Sequence, residues 1–122
     1  MKIAMPVEDT NISGKVCPSF GRAPYFMVYD TDGDQAAFIE NTAADSPGGA
    51  GVKAAQIVVD QHVDALLTPR CGQNSADVMK SAGIDFFQTE GDSISKNIDA
   101  YKNNMLQTLK EIHEGFHNHG GK

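Results

Sequence analysis

Tryptophan is absent from the 122-residue chain, and cysteine occurs only twice, as Cys17 and Cys71. Two cysteines are too few for a disulfide framework, so the thiols are expected to be reduced and the protein cytoplasmic. Long apolar runs are missing as well, none approaching the roughly 20 residues of a membrane span. Met1-Lys2-Ile3 leads into a strand pattern, not into a signal peptide. Positive charge is scarce, with ten Lys and Arg against sixteen Asp and Glu and a net charge of −6. A nucleic acid or an anionic membrane calls for a basic face, so neither is an expected partner. Catalytic signatures are missing too. There is no G-x-S-x-G and no H-E-x-x-H, and Gly48-Gly49-Ala50-Gly51 lacks the Lys-Ser/Thr continuation of a nucleotide loop. The carboxylates are scattered in loops and on helix surfaces, without an acid–base pair. The chain is not expected to be an enzyme.

What is present suits one domain with a real core, since apolar residues make up 40% and charged residues 21%. Lys2 to Val7 reads as a buried strand and Tyr25 to Asp30 as a second. Asp32-Gly33 makes a tight turn into a third strand, Ala36 to Asn41. The loop Asp45-Ser46-Pro47-Gly48-Gly49 leads to an Ala-rich helix from Ala50 to Gln61, and His62 follows as a surface residue or a cap. Val63 to Thr68 and Ile84 to Gln88 are the fourth and fifth strands. A short helix from Ser75 to Ala82 joins them, capped by Asn74 or Ser75 and closed by Gly83. The last helix is expected from about Ser93 to Glu114, capped by Asp92 or Ser93. Its apolar stripe is Ile94, Ile98, Tyr101, Met105, Leu109, Ile112 and Phe116, at spacings of three and four. The order β-β-β-α-β-α-β-α is that of an α/β sandwich around a mixed sheet. Residues 1–114 form the expected domain, and residues 115–122 a His/Gly-rich flexible tail.

With the first strand parallel to the fourth and fifth, residues 8–24, 42–49, 69–74 and 89–92 all emerge at one carboxyl edge. Open α/β sheets favour ligands there, and helix N-termini at that edge offer N–H groups to an anion. Both cysteines, Cys17 and Cys71, fall in these loops, as do both arginines, Arg22 and Arg70. Thiolates suit soft metals and metal–sulfur clusters, and arginines neutralise an anionic ligand. Taken singly, Cys17 and Cys71 read equally well as small inert apolar residues. A second group, His113, His117 and His119, packs three of the four histidines into seven residues. His113 and His117 stand at i, i+4, where a helix lets two imidazoles share a metal, although Gly115 between them weakens the helix. A solvated tail without a physiological ligand is the plainer reading of this tract.

Phe20-Gly21-Arg22-Ala23-Pro24-Tyr25-Phe26, with Met1-Lys2-Ile3-Ala4, resembles the nitrogenase iron–molybdenum cofactor biosynthesis family. That group takes in NifX-like proteins, the NifB C-terminal domain and orange-protein-like members. The resemblance continues through Gly48-Gly49-Ala50-Gly51-Val52, Val63-Asp64-Ala65-Leu66-Leu67 and Ala82-Gly83-Ile84-Asp85-Phe86. It implies a ribonuclease-H-like three-layer sandwich with a five-stranded sheet of order 3-2-1-4-5, strand two antiparallel. It implies a carrier or scaffold for a metal–sulfur cluster of iron–molybdenum or molybdenum–copper type, with a cluster donor or acceptor protein as partner. Ile3-Ala4-Met5 lacks the carboxylate of a nuclease centre. Members often carry histidine just before Phe-Gly-Arg; here the position is Ser19, and Cys17 is a softer ligand two residues earlier. The candidate cofactor contacts are Cys17, Ser19, Arg22, Gly49, Arg70, Cys71 and Asn74.

Two functions compete. One is a carrier of an anionic cluster at the carboxyl edge, with Cys17 and Cys71 approaching each other and Arg22 and Arg70 holding the ligand without supporting the fold. The other is a metal-homeostasis or sensory protein that binds a divalent metal through His113, His117 and His119. A thiol redox role has no C-x-x-C to support it. A last helix of about 30 Å would carry His113 to the opposite edge, far from both thiols, and make two separate sites.

Overall fold

A computed structural model of the chain describes residues 1–109 and 112–113. In chain order its elements are β1 (Lys2–Val7), β2 (Tyr25–Asp30), β3 (Gln35–Glu40), α1 (Ala50–Asp60), β4 (Ala65–Thr68), β5 (Cys71–Gly72), α2 (Gln73–Ser81), β6 (Asp85–Gln88), α3 (Ile94–Lys102) and β7 (Ile112–His113). The main sheet has the order β3-β2-β1-β4-β6. β2 is antiparallel to both β1 and β3, and β1, β4 and β6 run parallel. This is the expected order, with β6 in the place of the expected fifth strand.

Alternation along the central strands divides the core into two layers. Ile3, Met5 and Val7 of β1 join Ala65 and Leu67 of β4 on one face, where Ile94 and Ile98 of α3 cover them. Ala4 and Leu66 point the other way, under Ala54, Ala55 and Val58 of α1 and Ala76 and Met79 of α2. All five of the β1 and β4 side chains on the α3 face are at most 1% exposed, so a one-residue slip would expose the whole set. In the β2–β3 turn the left-handed residue is Asp34 (φ 51°), not Gly33 as Asp-Gly turn chemistry suggests. Asp34 accepts from the Tyr29 hydroxyl and from Lys102 Nζ, which ties the turn to α3.

α3 departs from expectation. It begins as predicted, with Ser93 Oγ accepting from the Lys96 N–H at 3.2 Å, but it ends at Lys102 instead of Glu114. Asn104 takes φ 58°, its N–H donates to Tyr101 O at 3.0 Å, and the Met105 N–H donates to Ala100 O at 2.8 Å. These two bonds are a Schellman stop, and Asn is one of the few non-glycine residues that accepts the left-handed position. Beyond it Met105 and Leu109 keep the spacing of four without a helix. Met105 is 69% exposed, while Leu106 and Leu109 are buried in an extended segment that covers the free edge of β6. There Thr108 bridges Phe87, the Gln88 N–H donates to Gln107 O at 2.7 Å, and the Leu109 N–H donates to Phe86 O at 3.2 Å.

The early stop relocates His113. It lies in β7, whose backbone pairs in parallel with β5, Ile112 opposite Cys71 and His113 opposite Gly72. The expected placement at the opposite edge, and the helical i, i+4 relation to His117, do not hold at His113. His117, His119 and the expected boundary between residues 114 and 115 lie outside the described residues. Among the described residues, no helix is long and apolar enough to cross a membrane.

Candidate functional site

Three stretches of chain meet at the carboxyl edge of the sheet around a cavity of about 790 Å³: residues 18–22, 47–52 and 70–75. They meet closely because they are built from glycine at the crossing points. A Cβ on Gly21 would lie 3.0 Å from Gly51 Cα, and one on Gly51 would lie 2.5 Å from Ser75 Oγ. Gly51 sits in the first turn of α1, where it costs helix stability relative to alanine. The close approach of α2 explains it.

Two side chains, Asn41 and Arg22, fix the loops. Asn41, 3% exposed, donates through Nδ2 to Gly21 O (3.1 Å) and Ala23 O (2.9 Å), while its Oδ1 accepts from the Ala43 N–H (3.1 Å). Arg22 Nη1 donates to Ala44 O and to Ser46 O, both at 2.8 Å. Arg22 therefore braces the loop that enters α1 as well as lining the cavity, a structural share that its loop position alone did not suggest. Arg70 lines the same cavity, is exposed, and its guanidinium has no hydrogen bond or ion pair with the described residues.

The helix starts add to the positive field. α1 has Gly49 (φ 70°) as its N-cap and α2 has Gly72, neither helix start is capped by a side chain, and neither first turn contains an acid. Asn74 and Ser75, expected as caps, lie inside α2 instead. The leading N–H groups of both helices are thus left to other partners at the cavity. Among the described residues lining it there are two arginines and not one Asp or Glu, in a chain of net charge −6.

Ser19, Arg22, Gly49, Arg70, Cys71 and Asn74 all line this one cavity; Cys17 does not. Cys17 is buried, its N–H donating to Pro6 O (2.9 Å) and its thiol to Ser19 O (3.5 Å). Burial raises its pKa, partly opposed by a hydrogen bond from the Ser19 backbone and assisted by nearby Glu8. Burial pushes the Cys71 thiol up to about 12. Both sulfurs are therefore neutral thiols near pH 7. Among the described residues no three His, Cys, Asp or Glu gather into a ready metal site. Such a set of donors favours an anion held by charge and N–H groups.

Asn41 and the Gly21–Gly51–Ser75 crossing were not singled out in the sequence. For Gly51 a signal existed, a glycine placed where a helix would favour alanine. For Asn41 there was none, because its three partners are all backbone groups.

The family model for the dinitrogenase iron-molybdenum cofactor matches residues 1–104. The apo orange protein of Desulfovibrio gigas superposes with a TM-score of 0.85 at 28% identity, over 90% of this chain and 93% of that one. A Thermotoga protein assigned to NifB superposes with a TM-score of 0.79 at 32% identity, over 93% and 97%. An uncharacterised protein of Methanocaldococcus jannaschii is 29% identical over 113 residues, 90% of this chain and 92% of its own.

Proposed function

The chain belongs to the dinitrogenase iron–molybdenum cofactor family, and on that premise we propose that it is a non-catalytic carrier whose cargo is an anionic metal–sulfur cluster. The cargo sits in the carboxyl-edge cavity. The observation that carries this reading is the charge set of that cavity: Arg22, Arg70 and two helix starts without side-chain caps, with no Asp or Glu among the described lining residues. A solvated anion gives up water on entry, and preorganised N–H donors and guanidiniums replace it. The cargo is of iron–molybdenum or molybdenum–copper type, loaded from and passed to a partner protein in the cytoplasm. The antiparallel β2 in the order β3-β2-β1-β4-β6 supports a ribonuclease-H-like description of the fold.

Cys71 lies against the cargo as a neutral thiol, an S–H donor that gains metal affinity only on losing its proton. Arg22 is already anchored to the Ala44 and Ser46 carbonyls, so its charge is in place before the cargo arrives. Arg70 is the arm that gains a partner on binding.

Tetrathiomolybdate, added without oxygen and followed by its visible absorption, is the probe. Losing one charge-assisted contact of about 1.5–3 kcal/mol should weaken binding to Arg70→Ala by at least about tenfold, with thermal stability unchanged. Equal affinity in wild type and Arg70→Ala would take this guanidinium out of the site. Absence of binding to the wild type would overturn the anionic-cargo reading.

A further inference from the structure

Ser75 is a residue of the cavity wall to which the carrier reading gives no task. It is the third residue of α2 and lines the cavity. It is only 5% exposed, and its hydroxyl has no hydrogen-bond partner among the described residues. A buried serine hydroxyl is ordinarily bonded, often back to its own helix. Among the described residues, Thr89 Oγ1 is the only side-chain oxygen or nitrogen both sealed from solvent and unpartnered. The Ser75 oxygen is therefore open to the cavity that the residue lines. Gly51, in the first turn of α1, keeps the space around it. A Cβ on Gly51 would lie 2.5 Å from Ser75 Oγ, and the next atom it would meet outside α1 is Ser75 Cβ at 3.9 Å. The glycine thus makes room for the hydroxyl alone, at a cost to its own helix.

We propose that Ser75 is a cargo-binding residue, its hydroxyl donating to the anionic cargo where α1 and α2 cross, and that Gly51 is the positioning residue that keeps this hydroxyl in place. The assignment rests on the anionic-cargo reading. A hydroxyl can donate or accept, and towards an anion it donates. Ser75 also stands in the first turn of α2, so its N–H is among the leading groups that the helix leaves unpaired. One residue then offers the cargo two donors side by side. Arg22 and Arg70 supply charge, and Ser75 supplies a fixed point of contact between the two helix starts.

Tetrathiomolybdate, added without oxygen to the full-length protein, tests this through affinity, melting temperature and amide NMR signals. In the wild type it should shift the Ser75 and Gly51 amides; shifts confined to other lining residues overturn the assignment. Ser75→Ala should weaken binding about fivefold, the worth of one neutral hydrogen bond. Its melting temperature should hold, because no bond within the protein is lost. Gly51→Ala, which turns the hydroxyl away, should weaken binding by a similar factor in the wild type and add nothing in the Ser75→Ala background. An equal further loss in that background would mean that the new methyl acts by itself, which overturns the positioning role of Gly51. Wild-type affinity in Ser75→Ala, with binding still weakened in Arg70→Ala, overturns the role of Ser75 and leaves the anionic-cargo reading standing. Absence of binding to the wild type overturns both.

Discussion

Cys71 behaves as an apolar side chain through the physiological range, because burial holds its proton on until about pH 12. In the unfolded chain the same thiol ionises near its ordinary value of 9.0. Between those two values the folded state binds more protons than the unfolded one, so stability falls as pH rises. The contribution is complete below about 9 and lost on the way to about 12. Urea midpoints are expected to drop as the pH passes through this window, and less steeply in Cys71→Ala. A drop of equal steepness in that variant would locate the effect elsewhere, Cys17 being the next thiol raised by burial. At this scale Arg22 also separates from Arg70. One is held by two carbonyls and the other is not, although their sequence contexts look alike.

Among the elements, α3 is the one whose end decides most. Asn104 at φ 58° makes the stop, and replacing it tests the geometry directly. Asn104→Ala should cost about 1 kcal/mol, lowering the melting temperature by about 4 °C, whereas Asn104→Gly should cost nothing or stabilise slightly. Equal effects of both substitutions would show that the left-handed backbone is not what terminates the helix. Strands β1, β2 and β4 were legible in the sequence because each is a short apolar run between breakers, and their burial is set by alternation. α1 was legible from its alanines. The end of α3 was not, since the apolar spacing continues past Asn103-Asn104 and only the hydrogen bonds show the helix has stopped. β5 and β7 are two residues each, too short for any period to register. The candidate cavity residues were legible from loop position, but the brace by Asn41 depends on backbone carbonyls brought together only by folding.

At the scale of the whole molecule, charge is partitioned: acids outnumber bases sixteen to ten over the chain, yet none lines the described cavity. Two consequences oppose each other. The overall negative charge slows the approach of an anion, and the local positive field holds it once inside. Raising ionic strength from about 0.05 M to about 0.5 M shortens the screening length severalfold. Tetrathiomolybdate is therefore expected to associate faster and dissociate faster at high salt, as stopped-flow absorbance would read. A dissociation rate independent of salt would argue that the cavity field does not retain the anion. The parallel pairing of β7 with β5 also bears on the order of events at the ribosome. β5 (Cys71–Gly72) is made well before its partner, Ile112–His113. A domain folds as it emerges, N-terminal part first. The strand that pairs with Cys71 and Gly72 therefore arrives only after residues 1–109 have been made, so for part of synthesis those two cavity-lining residues stand without it.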